Sequence, residues 1–314
     1  MKIKGRFAPS PSGRMHLGNI YCALISYLSV KKQAGSWLLR IEDLDRQRCK
    51  KEYAGLLLDD LAWLGLNCDE GAKSLSDSDF FQSSRDPFYQ NAFNLLEKEK
   101  IIYDCFCSRA DLFSSSAPHA SDGRVIYSGN CKNLSEEEKA RLSEIRRPAK
   151  RISLPDQEVS FTDGHFGQQK CNLARDLGDF IIRRSDGNFS YQLAVVVDDA
   201  LMGINQVVRG RDLLSSSHEQ IFLYKKLNFP PPAFYHLPLL VNSEGKRLSK
   251  RDRDLDMAFF RKEFSPEELI GKIMLLCGFI PRYEKVTLDQ AISLFSWEKM
   301  PKKDLVVTSQ FLQK

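Results

Sequence analysis

Residues Lys4–Leu28 constrain the fold more than any other stretch of the chain. Lys4–Ser10 suits a buried strand, a turn carrying Pro11 and Gly13 follows, and Leu17, Ile20, Leu24, Tyr27 and Leu28 then recur at helical spacing. "SWLLRIED", Ser36–Asp43, reads as a second strand. Strand, helix and strand at this spacing make a βαβ unit, so the two strands belong to a parallel sheet.

The pattern continues with helices expected over Glu52–Trp63 and Asp86–Lys100. From about Ile101 to Arg175 it changes to short strands, turns, a serine-rich loop at Ser114–Gly123 and a helix over Leu134–Ile145, which together read as an insertion on the sheet. The α/β pattern returns over Asp179–Leu214 as a strand, a turn at Asp186–Gly187, a helix and a strand ending near Arg209; Ser216–Leu227 is expected to be helical. Beyond Leu237–Asp252 the tail looks helical, with Ile270, Ile273, Met274 and Cys277 on one face. The expected division is 1–100 and 176–252 as the two halves of one α/β fold, 101–175 as an inserted subdomain, and 253–314 as a helical C-terminal segment.

With 42% hydrophobic residues among 314, the chain can bury a sizeable core. The net charge of +5 is compatible with a nucleic-acid partner without requiring one. No run approaches the ~18 apolar residues of a membrane span. Lys2, Lys4 and Arg6 lead straight into Pro9 and Pro11, where a signal peptide would have its apolar segment. A soluble cytoplasmic protein without membrane contact is expected. In a reducing compartment, close cysteines more often bind metal than form disulfides, and the eight cysteines here show no dense disulfide framework.

A strand that runs through a glycine-containing turn into a helix exposes backbone N–H groups at the helix start, where the helix dipole favours an anion. Gly18 would let a ligand approach the backbone, and His16 can donate to phosphate oxygens. Alone, the same residues also fit a stiff structural corner. "GKRLSKR", Gly245–Arg251, carries Lys246, Arg247, Lys250 and Arg251. It is either a solvated basic loop or a loop that follows negative charge developing on a leaving pyrophosphate. "YDCFCSR" supplies Cys105 and Cys107, and after nineteen intervening residues "VIYSGNC" supplies Tyr127 and Cys131. Three thiolates suit Zn²⁺. The spacing leaves the fourth ligand open, with His119 and Cys171 as generic candidates. Cys22, Cys49, Cys68 and Cys277 read as small hydrophobes.

"HLGN" (His16–Asn19) and "RLSKR" (Arg247–Arg251) resemble, in matching order, the two signature motifs of class I aminoacyl-tRNA synthetases. "RFAPSPSGRMHLGN", "LLRIEDLDRQR" and "SDGNFSYQLAVVVDDALMGINQVVRGRD" extend the resemblance to glutamyl-tRNA synthetases along most of the chain. Only residues 252–314 follow the lysine loop, so no anticodon-binding domain of the usual size is expected. The chain therefore looks like the shortened branch of that family, the glutamyl-Q tRNA(Asp) synthetases, and "VRGRDLLSSS" (Val208–Ser217) favours that branch.

The resemblance implies a Rossmann-like parallel sheet with an inserted zinc-bearing subdomain. It also implies a ligase that activates L-glutamate with ATP and Mg²⁺ and transfers the glutamyl group to the queuosine base of tRNA(Asp). Position by position, it assigns Arg6, Phe7, Ala8, Pro9, Ser10, Glu42, Tyr191 and Arg209 to glutamate, and His16, Gly18, Asn19 and Lys250 to ATP, with His16 and Lys250 catalytic. Two arginines and one glutamate are charge-complementary to an amino acid with two carboxylates and one ammonium. The resemblance also names Tyr127 as fourth ligand of a structural Zn²⁺ beside Cys105, Cys107 and Cys131. Three positions depart from the usual motifs: Arg247 stands for a lysine, Asn19 for a histidine and Ser12 for a threonine. A monomer is expected. The competing functions are a short glutamyl-tRNA synthetase that charges a 3′ end, a related adenylating enzyme for another amino acid, and a non-catalytic RNA-binding paralogue.

Overall fold

The computed structural model describes residues 2–108, 111, 126–246, 248 and 256–313. In chain order the first half holds β1 (Lys4–Phe7), α1 (Leu17–Lys31), β2 (Ser36–Leu39), α2 (Lys51–Trp63), β3 (Glu70–Gly71) and α3 (Asp86–Lys98). There follow β4 (Ile102–Cys105), α4 (Glu136–Ile145), β5 (Ala149–Ile152), β6 (Glu158–Asp163), β7 (Gly167–Asn172) and β8 (Phe180–Arg183). The remainder is α5 (Tyr191–Leu201), β9 (Gln206–Gly210), α6 (Ser216–Lys226), β10 (Ala233–Leu237), β11 (Leu240–Val241), α7 (Met257–Glu263), α8 (Pro266–Leu276), α9 (Leu288–Leu294) and β12 (Leu305–Val306). The expected helices form within about two residues of their expected ends, since the helical period locates an element better than its caps do. The first strand stops at Phe7, so Ala8–Ser10 lie beyond its end and line a cavity there.

The central sheet is parallel, in the order β10-β9-β1-β2-β3, as the βαβ reading requires. Strand alternation divides it between two cores. Leu39, Val208 and Leu237 point into one core with α1, α2 and the C-terminal helices; Leu38, Val207 and Phe234 point into the other with α3, α5 and α6. Gly5 lies so close to Val30 that a Cβ would collide with that side chain, which sets the close packing of α1 on β1.

The insertion consists of the antiparallel sheet β4-β5-β8 and the hairpin β6–β7. The strand expected just after Asp179 forms as β8, but it pairs with β5 in the inserted sheet and not with the parallel sheet. A strand's own residues encode its faces; they do not encode its partner. The C-terminal segment is helical in α7–α9 and also adds β12, which runs parallel to β11. Met257, Phe260, Ile273, Met274 and Phe295 share a core with Leu24 and Leu39, so this segment supports the sheet directly.

Candidate active site

A cavity of about 460 Å³ opens at the C-terminal ends of the parallel strands, where ligands bind in open α/β sheets. Its walls include Arg6–Ser10 from the end of β1, Glu42 beyond β2, Tyr191 at the start of α5, Arg209 in β9, and His16, Gly18 and Asn19 at the start of α1. Thus all the candidate glutamate residues and three of the four candidate ATP residues share one space. Lys250 and Arg247 lie outside the described residues. Their described neighbours are Leu248, which lines the cavity, and Asp256, which forms a backbone bridge with His16.

Backbone bonds hold the two strand ends in register past the sheet. Arg40 N–H donates to the Phe7 carbonyl and Glu42 N–H to the Pro9 carbonyl, each at 3.0 Å. Arg6 donates from Nε to both oxygens of Asp199 at 3.2 Å. Arg40 reaches Asp199 at 2.7 Å and Glu42 Oε1 at 3.1 Å. Burial alone would raise the Asp199 pKa, but the two guanidinium groups outweigh it and hold the carboxylate ionised below its ordinary range. Glu42 is different: burial wins over Arg40 and Arg6, and its pKa is raised. The Nη nitrogens of Arg6 and the Tyr191 hydroxyl have no partner among the described residues.

Arg209 is 4% exposed and has no ion pair among the described residues. Its neighbours are all neutral acceptors: His236 Nε2 at 3.1 Å, Gln220 Oε1 at 2.8 Å, Ser217 Oγ at 2.8 Å and the Leu213 carbonyl at 3.2 Å. Burial accordingly lowers its pKa from the ordinary arginine value. A buried guanidinium without a counter-ion is a socket for an anion.

The helix start departs from the expected open anion site. His16 is the N-cap of α1, and its Nδ1 accepts the Gly18 N–H at 3.1 Å, while the Asn19 side chain accepts the His16 N–H at 3.2 Å. The helix's own side chains therefore occupy donors that were expected to face a phosphate. A Cβ on Gly18 would lie 3.0 Å from the His16 ring, so Gly18 makes room for that cap.

In the insertion, the sulfurs of Cys105, Cys107 and Cys131 lie within 4.8 Å of one another. Cys107 Sγ is 3.5 Å from Cys131 Sγ, and the Tyr127 hydroxyl is 3.5 Å from Cys105 Sγ and 3.6 Å from Cys107 Sγ. A tetrahedral zinc with bonds of about 2.0–2.3 Å has ligand–ligand edges of about 3.3–3.8 Å, so this donor set fits Zn²⁺. Of the generic fourth candidates, Cys171 lies in β7 outside this cluster, and His119 is outside the described residues. Arg151 donates to Cys105 Sγ at 3.2 Å and stacks its guanidinium 3.9 Å over the Tyr127 ring, which offsets the negative charge of a thiolate-rich site.

Sequence reasoning missed Arg40, Asp199, His236 and Arg151. A usable signal existed for Asp199: Asp198 and Asp199 end an otherwise apolar run, "LAVVV", and buried carboxylates require partners. A second recess, about 670 Å³, shares Ser10, Ser12, Glu42 and Tyr191 with the first and extends to Asp45, Arg48 and Arg184. No described helix is long and apolar enough to cross a membrane.

The family described as tRNA synthetases class I (E and Q), catalytic domain, matches residues 2–314. A glutamyl-Q tRNA(Asp) synthetase of Symbiobacterium thermophilum is 42% identical over 98% of this chain and 96% of its own. A glutamate–tRNA ligase of Sulfurihydrogenibium sp. is 36% identical over 96% of this chain and 64% of its own. The crystal structure of a glutamate tRNA ligase from Elizabethkingia meningosepticum, in complex with its amino acid, superposes with a TM-score of 0.82 at 29% identity, covering 99% of this chain and 68% of that one.

Proposed function

Because the chain belongs to the class I tRNA synthetase family for Glu and Gln, and is thus a ligase, we propose that it activates L-glutamate with ATP and transfers the glutamyl group to the queuosine base of tRNA(Asp). The observation that carries the amino-acid choice is the charge pattern of the cavity. Arg209 is buried among neutral groups, Arg6 keeps two nitrogens open, and the partly satisfied Glu42 lies beside Tyr191. Arg6 and Arg209 receive the carboxylates and Glu42 the ammonium. Glutamine, with a neutral amide, would leave a buried cation unbalanced.

In the first step the glutamate α-carboxylate oxygen bonds to the α-phosphorus of ATP and pyrophosphate leaves. In the second, an acceptor hydroxyl attacks the activated carbonyl and AMP leaves. The protein contributes positioning and fixed charge, with no covalent intermediate. His16, Gly18 and Asn19 bound the ATP side of the cavity, and Lys250 is assigned to the phosphates. The His16 ring nitrogen not engaged with Gly18, Nε2, is the one assigned to a phosphate contact. Mg²⁺ shields phosphate charge when bound, held mainly by ATP and water; among the described residues the thiol group alone has the clustering of a metal site. Zn²⁺ on Cys105, Cys107, Tyr127 and Cys131 would be structural, with no open position. The recess beyond Glu42 and Tyr191 offers the acceptor a route to the carbonyl.

The queuosine target is supported by the near-full-length likeness to relatives bearing that name. The test is ATP–pyrophosphate exchange with each amino acid, then transfer to tRNA(Asp) with and without queuosine. Exchange with glutamate and transfer to the queuosine-containing tRNA alone are expected. Equal charging of both tRNAs would instead make the enzyme one that charges a 3′ end, and absence of exchange in zinc-replete protein would make it a binding paralogue.

A further inference from the structure

Arg209 lies beside His236 on the neighbouring strand, and the two residues are paired in register. The His236 ring is fully buried. Its Nδ1 is 2.6 Å from Asp163 Oδ2, and its Nε2 is 3.1 Å from Arg209 Nε. Arginine can only donate, so Nε2 must be an acceptor and Nδ1 must carry the proton given to Asp163. One tautomer satisfies both contacts. Asp163 ends β6, at the tip of the inserted hairpin, and its Oδ1 accepts the His165 and Phe166 N–H groups at 3.0 and 2.8 Å. The turn therefore fixes which oxygen faces the histidine.

We propose that Asp163 and His236 are positioning residues: the hairpin-borne carboxylate selects the Nδ1–H tautomer of His236, and that tautomer aims the Arg209 guanidinium into the substrate cavity. The inserted hairpin thereby sets the affinity of a site built on the parallel sheet. This inference rests on the reading that Arg209 holds a substrate carboxylate. Neither residue touches the substrate.

Two substitutions separate this role from a merely structural one. Asp163→Asn keeps size, and its Oδ1 still accepts the turn N–H groups; its amide NH₂ then faces His236 Nδ1 and forces the Nε2–H tautomer, which opposes the Arg209 Nε–H. His236→Gln loses ring volume but preserves polarity, with an NH₂ for Asp163 and an oxygen for Arg209. The experiment is glutamate-dependent ATP–pyrophosphate exchange on the full chain, with ¹⁵N NMR of the imidazole. Asp163→Asn is expected to raise KM for glutamate by about tenfold or more, to leave KM for ATP within about twofold, and to convert the ring to the Nε2–H form. His236→Gln is expected to keep KM for glutamate within about threefold of the parent. The inference is overturned if Asp163→Asn leaves KM for glutamate unchanged, if its ring stays in the Nδ1–H form, or if His236→Gln is the more damaging change. Arg209→Lys is the control on the underlying reading: if it leaves KM for glutamate unchanged, that reading fails, whereas an effect there with none from Asp163→Asn removes the positioning role alone.

Discussion

Arg6 meets Asp199 through its Nε, at 3.2 Å from each carboxylate oxygen, across 193 residues of chain. The contact leaves the outer face of the guanidinium for a ligand. Because Arg40 shares the same carboxylate at 2.7 Å, Asp199 is a common ion-pair partner of two buried cations, with Glu42 also paired to Arg40. Asp199→Asn is therefore expected to destabilise the fold by about 3 kcal/mol, the range for breaking a buried ion pair. It should also raise KM for glutamate by about tenfold or more as Arg6 loses its brace. Urea unfolding and exchange kinetics check the two effects; a variant with unchanged stability would show that the arginines do not depend on this carboxylate.

The thiol cluster makes a prediction independent of activity. Cys105→Ser is expected to lower zinc from about one per chain to well under half and to reduce solubility, because a closed four-ligand site loses a quarter of its bonds. Chelation should lower Tm of the parent protein by several degrees, since zinc stabilises only the folded form. Arg151→Met, which removes the cation beside Cys105 and Tyr127, should weaken zinc retention in a chelator competition without removing a ligand. Freshly purified protein free of stoichiometric zinc would rule the site out.

The parts of the site legible in the sequence are those carried by local motifs. Arg6–Ser10, His16–Asn19 and the RIED run each occupy one turn or one strand end, where the family resemblance could pick them out as short motifs, and the structure gathers them around one cavity. Asp199, His236 and Asp163 escaped because their meaning lies in partners 73 to 193 residues away. The pairing of β8 with β5 escaped for the same reason. Gly18 was legible as special, and the structure adds a local reason: the space it leaves is taken by the His16 ring, while Gly18 also lines the cavity.

Stability should fall on mild acidification. Burial holds the His236 imidazole at about 4, below its ordinary 6.5, although Asp163 pulls it upward. Between those values the unfolded chain binds a proton that the folded protein refuses. Stability is then complete above about pH 6.5 and decreases as pH falls toward 4, by up to about 1.4 kcal/mol per pH unit. His165 and His218, both lowered by burial, add the same sign. Urea unfolding at pH 7, 6 and 5 should show the decline, with a shallower one in His236→Gln; parallel curves for the two proteins would exclude His236 as its source.

The observed N-cap role of His16 and its proposed role at ATP can be separated by one residue type. As N-cap it accepts the Gly18 N–H through Nδ1, a duty that asparagine performs at least as well. As proposed ATP ligand it must offer the other ring nitrogen, and asparagine in the capping rotamer has no group at that distance. His16→Asn should therefore keep stability within about 0.5 kcal/mol of the parent while exchange falls by roughly 100-fold or more, the scale of losing one transition-state donor. His16→Ala should lose activity and also about 1 kcal/mol of stability with the cap. If His16→Asn keeps both stability and exchange, the histidine is a cap and nothing more, and the phosphate contact must come from elsewhere in the cavity.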